Sequence, residues 1–375
     1  MTLAVRTLLD LVSIPSSSAL SNRPVIEYAL GCLNPAHWKI EQFSYRDDFG
    51  AEKVNLLAVA NSHDPQDIEL ALVCHTDTVP FDAEWREGVH PQVRNGNLYG
   101  RGSCDVKGFL ACILASVARI DPSSLTKGLA IVLTADEEIG CIGAKHLAQN
   151  GAWHSRYTII GEPTDLQPVR AGKGYALAEI RVQGREAHSA FPSQGHSAIY
   201  DAARVVAALE RVEKELAGRE NRDFDPPYTT LNIGMIQGGR AKNIIAGECR
   251  IVVEWRPVPG EDPSYAAVLI RQEIAALEKQ FPELKASLEV KRVDPPFAPT
   301  MSPTLATLLE LLTSKPATTV SFGTEAAHLS PLTTETVVFG PGSMTTAHKT
   351  GEYVPVAELE QCVDYLTTII QRICG

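Results

Sequence analysis

The sequence predicts an α/β protein: a mixed, largely parallel sheet forms one domain, and a smaller α+β domain is inserted into it. Three observations carry this reading. Continuous apolar runs of strand length alternate with helical patterns through the first half of the chain. The unusual polar residues fall directly after those runs. Near Lys173 the texture changes to strand, helix, strand, strand, helix, strand, and then changes back.

The N-terminal stretch MTLAVRTLLDLVSIPSSS has the apolar look of a leader, but Asp10 interrupts the run and Pro15 ends it, so an amphipathic helix is the better reading. VNLLAVA, IELALVC, GLAIVLTA and YTIIGEP read as strands, and GFLACILASVARI and GAKHLAQNGA as helices. Apolar strands separated by helices belong to a sheet covered on both faces, much of it parallel. Ligand sites in such sheets lie at the carboxyl ends of the strands. HTD, DEE and GEP all occupy such ends.

Beyond Lys173 come YALAEIRVQ, SAIYDAARVVAALERVEKELAG, TLNIGMIQ, ECRIVVEWRP, SYAAVLIRQEIAALEKQ and KASLEVKRV. Their order, βαββαβ, is the split βαβ pattern of a ferredoxin-like domain. The expected organisation is residues 1–173, an insert at 174–292, and a return to the first domain at 293–375, closing with a helix from Pro355 to Cys374.

Composition narrows the function. The chain has 375 residues, 44% of them apolar and 21% charged, with a formal net charge of −11. No basic stripe is present to pair with phosphates, which argues against nucleic acid and anionic membranes as partners. No apolar run approaches the roughly 18 residues of a spanning helix. The eight cysteines form no CxxC pair, and several sit inside apolar runs. That pattern suits buried thiols in a reducing cytoplasm.

Five stretches can carry chemistry. In LVCHTDTVP, His75 and Asp77 are two apart and share a face of extended chain. A metal-ligating His needs its second ring nitrogen held, and a carboxylate can do that; a solvated pair is the plain alternative. YGRGSCDVKGF is not a phosphate loop, because Lys107 is followed by Gly108 rather than Ser or Thr. It is either a tight turn feeding a helix or a turn whose Asp105 bridges cations. TADEEIG spends three consecutive carboxylates, Asp136, Glu137 and Glu138, at a strand mouth. A helix beginning there would welcome one or two of them. IIGEPT adds Glu162, and GPGSMTTAHKTGEYV adds His348. Two His and several carboxylates in strand-end loops suit Zn²⁺ or a similar divalent ion. HExxH and GxSxG are both absent, which leaves metal-activated water as the natural attacking group.

HTDTVPFD, GRGSCDVKGF, TADEEIG, GEPTDLQPVRAGKG, FGTEA and GPGSMTTAH, in this order, resemble the dinuclear zinc amidohydrolases related to carboxypeptidase G. The resemblance spans nearly the whole chain. It implies two divalent ions, Zn²⁺ first and Co²⁺ as an alternative. His75, Asp105 and Glu162 would hold one ion; Asp105, Glu138 and His348 would hold the other. Glu137 would be the general base and Asp77 the carboxylate that orients His75. His188, in VQGREAHSA, would steady the tetrahedral oxyanion. Asn243 and Arg256, in KNIIAGECRIVVEWRPVPG, and Gly323, Thr324 and Glu325, in FGTEA, would contact substrate. Asp136 receives no role; helix capping and a bond beside the site both stay open.

The resemblance further implies a homodimer formed through the inserted domain, and an N-acylated amino acid as the small-molecule partner. Within the family the motifs are most similar to the branch that cleaves N2-acetyl-L-ornithine in arginine biosynthesis, with Glu325 helping to select a cationic side chain. The alternatives are a desuccinylase, an aminoacylase or a dipeptidase with the same metals, or a metal- or amino-acid-binding protein without catalysis. Two departures stand out. VEWRPVPG has Trp255 before the arginine where an acid two positions earlier is usual, a place Glu254 can fill. KNIIAG lacks a proline common after that motif.

Overall fold

The computed structural model describes every residue except 62 and 83. The chain divides into two compact units: residues 1–170, 299–318 and 324–375 in the first, and 171–298 with 319–323 in the second.

The largest sheet holds β1 (Trp38–Arg46), β2 (Glu52–Ala60), β3 (Ile68–His75), β6 (Gly128–Thr134), β7 (Ser155–Ile160), β8 (Val169–Gly172), β13 (Thr318–Val320) and β14 (Thr333–Val338). Its order is β1-β2-β6-β3-β7-β14-β8-β13. The central strands β6, β3, β7 and β14 run parallel, while β1–β2, β2–β6 and β14–β8 are antiparallel. Every residue of β6 is buried, as its unbroken apolar run requires. A small sheet joins β4 (Gln92–Arg94), β5 (Asn97–Tyr99) and β15 (Tyr353–Pro355).

The first unit's helices are α1 (Leu3–Val12), α2 (Arg23–Gly31), α3 (Lys107–Val117), α4 (Ile142–Asn150), α7 (Leu305–Thr313), α8 (Ala326–Leu329) and α9 (Val356–Cys374). α3 is buried along its whole length and packs against α1 and α9. α9 presents Leu359, Val363, Leu366, Ile370 and Ile373 to the core at helical spacing. The Lys107 ammonium, buried in α3, donates to the Leu11 and Ile14 carbonyls at the end of α1.

The second unit folds as β9 (Tyr175–Gln183), α5 (Ala198–Ala217), β10 (Thr230–Gly238), β11 (Glu248–Arg256), α6 (Tyr265–Gln280) and β12 (Lys285–Asp294). Its antiparallel sheet has the order β10-β11-β9-β12, the arrangement of the expected βαββαβ pattern. α5 buries Ala198, Ala202, Val205, Leu209, Val212 and Leu216 along one stripe.

Two features depart from the sequence reading. β1 was not expected. Its residues WKIEQFSYR alternate in burial instead of forming an apolar run, because an edge strand covered on one face needs apolar side chains only at every second position. TADEEIG starts no helix either. α4 begins at Ile142 and has no acidic residue in its first turn, so the three carboxylates sit in a loop and the macrodipole does not explain them.

Candidate metal centre

Four adjacent parallel strands deliver the first unit's predicted ligands. His75 is the last residue of β3. Glu137 and Glu138 follow β6, Glu162 follows β7, and the loop after β14 leads to His348. Asp105 lies two residues before α3. Backbone approach is close here. A Cβ on Gly161 would come within 2.1 Å of the Phe109 ring, so only glycine fits before Glu162.

The side chains converge. His75, Asp105 and Glu162 form one group of potential ligand atoms within 4.8 Å of one another, and Asp105, Glu138 and His348 form another. Asp105 belongs to both. Its Oδ1 lies 3.1 Å from His75 Nε2 and its Oδ2 lies 3.1 Å from His348 Nε2. His348 Nε2 also approaches Glu138 Oε2 at 3.1 Å. One carboxylate with an oxygen turned to each imidazole is the geometry of a bridging ligand.

The electrostatics fit cations. Burial pushes Glu137 up to about 8; Glu138, Glu325 and Asp105 add to the rise and His75 opposes it. Glu162 is raised well above the usual carboxylate range by burial, with Asp105 and Glu137 repelling its charge. Burial alone would lower His75, but Asp105 and Asp77 hold it well above its ordinary value. Asp105 and Glu138 raise His348 to about 10. Burial, and after it the repulsion among neighbouring carboxylates, drives Glu137 and Glu162 to take protons, and cations among them would oppose both. Imidazole and carboxylate donors suit Zn²⁺ and related divalent ions, so the residues fit the metal that the sequence implied.

Asp77 does more than orient His75. His75 Nδ1 lies 3.1 Å from the backbone carbonyl of Asp77 and 3.7 Å from its carboxylate. The carboxylate instead accepts the backbone N–H groups of Glu137 (3.0 Å) and Glu138 (3.3 Å) and the Ser18 hydroxyl (2.7 Å). It therefore anchors the loop that carries Glu137 and Glu138. Asp136 faces inward, fully buried, and pairs with Lys53 at 2.8 Å.

In the second unit, His188 and Asn243 are brought together: His188 bridges to Ile244, and Ser189 N–H donates to the Asn243 carbonyl. His188 Nδ1 accepts from Ala190 N–H at 3.1 Å, which leaves Nε2–H as its outward donor. Arg256 lies over the Tyr175 ring at 4.5 Å and 3.8 Å from Glu254. Glu254 thus supplies an acid beside Arg256 at the position two before it, while Trp255 itself is buried. Gly323 closes the short second-unit segment 319–323. Thr324 and Glu325 belong to the first unit and are buried. Glu325 is 1% exposed, and neither carboxylate oxygen has a hydrogen-bond partner of good geometry. Burial pushes it to about 7; His75 and the nearby Thr134 hydroxyl offset part of that cost, and Asp77 adds to it.

The sequence reading missed Lys53, Tyr45, Ser18 and Asn55 around the acidic loop, and Glu352 beneath Asp105. Glu352 accepts the backbone N–H groups of Cys104 and Asp105 and pairs with Arg101 at 2.6 Å. One signal was available: Lys53 and Asn55 flank Val54 at the start of a strand that is otherwise apolar beyond Glu52.

A model of peptidase family M20/M25/M40 matches residues 71–372. The chain is 44% identical over 371 residues to an acetylornithine deacetylase of Myxococcus xanthus, covering 98% of this chain and 97% of that one. It is 35% identical to an acetylornithine deacetylase of Proteus mirabilis (strain HI4320), covering 97% and 95%. Among solved structures it is similar in fold to a tripeptidase from Staphylococcus aureus, with a TM-score of 0.76, 23% identity, and 99% and 98% of the two chains covered. An M20 family metallo-carboxypeptidase from Sulfolobus solfataricus matches with a TM-score of 0.76, 16% identity, and 100% and 99% covered.

Because a ligand bound only by the folded chain raises stability, Zn²⁺ should raise the melting temperature of metal-free protein. Asp105→Asn, which alters both donor groups, should reduce that rise more than His348→Ala, which alters one. Thermal denaturation with and without Zn²⁺ checks this, and equal losses would contradict a shared Asp105.

Proposed function

The chain belongs to peptidase family M20/M25/M40, and from that premise we propose that it removes the acetyl group of N2-acetyl-L-ornithine, giving L-ornithine and acetate, a step of arginine biosynthesis. The observation that carries the chemistry is geometric: two groups of donor atoms share Asp105, and Glu137 stands on the same loop as Glu138 beside them. The substrate follows from the two acetylornithine deacetylases to which nearly the whole chain is similar.

Two divalent ions, Zn²⁺ first and Co²⁺ as an alternative, are proposed at the two groups. His75, Asp105 and Glu162 hold one; Asp105, Glu138 and His348 hold the other. When bound, such a pair polarises an amide carbonyl and acidifies water toward neutral pH. The protein groups do the rest. Glu137 takes the proton of the attacking water and returns it to the leaving amine, a contribution of roughly 10²–10⁴-fold. His188 donates through Nε2–H to the carbonyl oxygen as that oxygen gains charge. Arg256 pairs with the α-carboxylate through its planar fork, and Asn243, Gly323 and Thr324 complete the substrate contacts. Glu325 is a buried carboxylate whose burial His75 and Thr134 offset only in part, and the side-chain ammonium of ornithine is the partner proposed for it.

The second unit is proposed to form a homodimer. β10 is one edge of its sheet, paired with β11 on one side only, and exposes Met235 and Ile236, each 53% accessible. Open apolar edges of this kind are normally covered. A reducing cytoplasm suits the eight cysteines, none of which is disulfide-bonded. No helix among the described residues is long and apolar enough to cross a membrane.

Four outcomes are expected. Glu137→Gln should retain metal and lose about 10²–10⁴-fold in kcat; near-native turnover would remove Glu137 as the base. Amine release should be fastest from N-acetyl-L-ornithine when compared with N-succinyl-diaminopimelate and N-acetyl-L-methionine. Glu325→Gln should narrow that preference, whereas equal losses on acetylornithine and acetylmethionine would sink the role given to Glu325. Light scattering should report a dimer for the native chain and a monomer for Ile236→Lys; a native monomer would end the dimer proposal.

A further inference from the structure

Lys53 is 1% exposed and sits near the start of β2, a strand that is apolar from Leu56 to Ala60. Its ammonium donates to the Ser18 carbonyl, to the Leu20 carbonyl at 2.9 Å, and to Asp136 Oδ1 at 2.8 Å. All three N–H donors of the lysine are therefore used. The other oxygen of Asp136 accepts the Tyr45 hydroxyl at 2.9 Å. Asp47 Oδ2 stands 3.5 Å from the same ammonium.

These contacts close into a ring. Ser18, whose carbonyl takes one Lys53 N–H, gives its hydroxyl to Asp77 Oδ2 at 2.7 Å. Asp77 accepts the N–H groups of Glu137 and Glu138. The chain then runs back one residue to Asp136, which meets Lys53. Asp136 has φ of +57°, in the left-handed region that residues with a Cβ seldom enter. At this turn the Asp136 carboxylate is fully buried on Lys53, while Glu138 reaches His348 at 3.1 Å. Asn55 supports the same loop by accepting Ala135 N–H at 3.0 Å.

We propose that Lys53 and Tyr45, acting through Asp136, are positioning residues that set where Glu138 and Glu137 point. Both reach the acidic loop through the carboxylate of Asp136. The part concerning Glu137 rests on the deacetylase reading above; the part concerning Glu138 rests only on the two donor groups. These contacts grip the loop of Glu138, and among the described residues Lys53, Tyr45 and Asp136 make no side-chain hydrogen bond to Glu162. Their loss therefore acts unequally: the group Asp105, Glu138 and His348 loses affinity for a divalent ion, and the group His75, Asp105 and Glu162 keeps it.

The test is a Co²⁺ titration of the metal-free full chain, followed by the absorption of the bound ion, without substrate. His348→Ala identifies the binding step that belongs to Glu138. Asp136→Gly removes the carboxylate but tolerates the positive φ, so backbone strain is not introduced. That variant should weaken the identified step by roughly 10–100-fold, the usual cost of losing a partner that orients a ligand, and leave the other step unchanged. Tyr45→Phe, which removes one hydroxyl and endangers folding least, should weaken the same step to a smaller extent. Asp136→Asn keeps an oxygen for Lys53 and should recover most of the affinity. The proposal is overturned if Asp136→Gly and Tyr45→Phe leave that step unchanged, if both steps weaken equally, or if Asn does no better than Gly. Because substrate is absent, these outcomes do not depend on which amide the protein cleaves. Loss of acetylornithine cleavage as a function would leave them standing.

Discussion

Repulsion among carboxylates is the constraint around which the first unit is organised. Asp105, Glu137, Glu138, Glu162 and Glu325 influence one another's protonation at the ends of the central strands. Two like charges about 4 Å apart repel by about 4 kcal/mol at an effective dielectric constant of about 20. A fold does not hold several such pairs together without something positive among them. His75 and His348 offset part of the repulsion, and divalent cations would turn the crowding into coordination. This also answers why a chain would place three acids in succession after a buried strand. They face different ways: one goes inward to a lysine, and two go toward the donor groups.

Holding that arrangement requires rigid loops, and two buried ion pairs supply the rigidity. Lys53 with Asp136 grips the loop of Glu137 and Glu138. Arg101 with Glu352 grips the turn of Asp105, since Glu352 also accepts two backbone N–H groups there. Removing one partner from a buried pair costs about 3–5 kcal/mol, because the other charge is left stranded. A buried pair is therefore weak evidence of net stability and better evidence that a local geometry is being enforced. Asp77 joins the two tasks. Its backbone carbonyl faces His75, and its carboxylate caps the N–H groups of the acidic loop.

Much of this was legible in the residues. The strands β2, β3, β6 and β7 announced themselves as apolar runs, because strands buried on both faces have no use for alternation. The ligands were legible because polar groups directly after such runs fall at the carboxyl ends of a parallel sheet. The edge strand β1 was hidden, since a half-covered strand mixes polar and apolar side chains in short alternation. Asp136 was visible but could not be assigned, because its partners lie 83 and 91 residues away in the chain.

By itself, then, the sequence determined the α/β class, the βαββαβ insert and the chemical types of the candidate ligands, since periodicity and strand-end position are local properties. Only the tertiary structure decided that Asp105 turns one oxygen to each histidine, that Asp77 spends its carboxylate on the acidic loop, and that Lys53 and Glu352 stand behind the ligands. Glu352 is 247 residues from the backbone N–H of Asp105 that it accepts. Contacts over such separations are set by how strands are ordered in the sheet, and strand order is a global outcome of packing that no local pattern encodes.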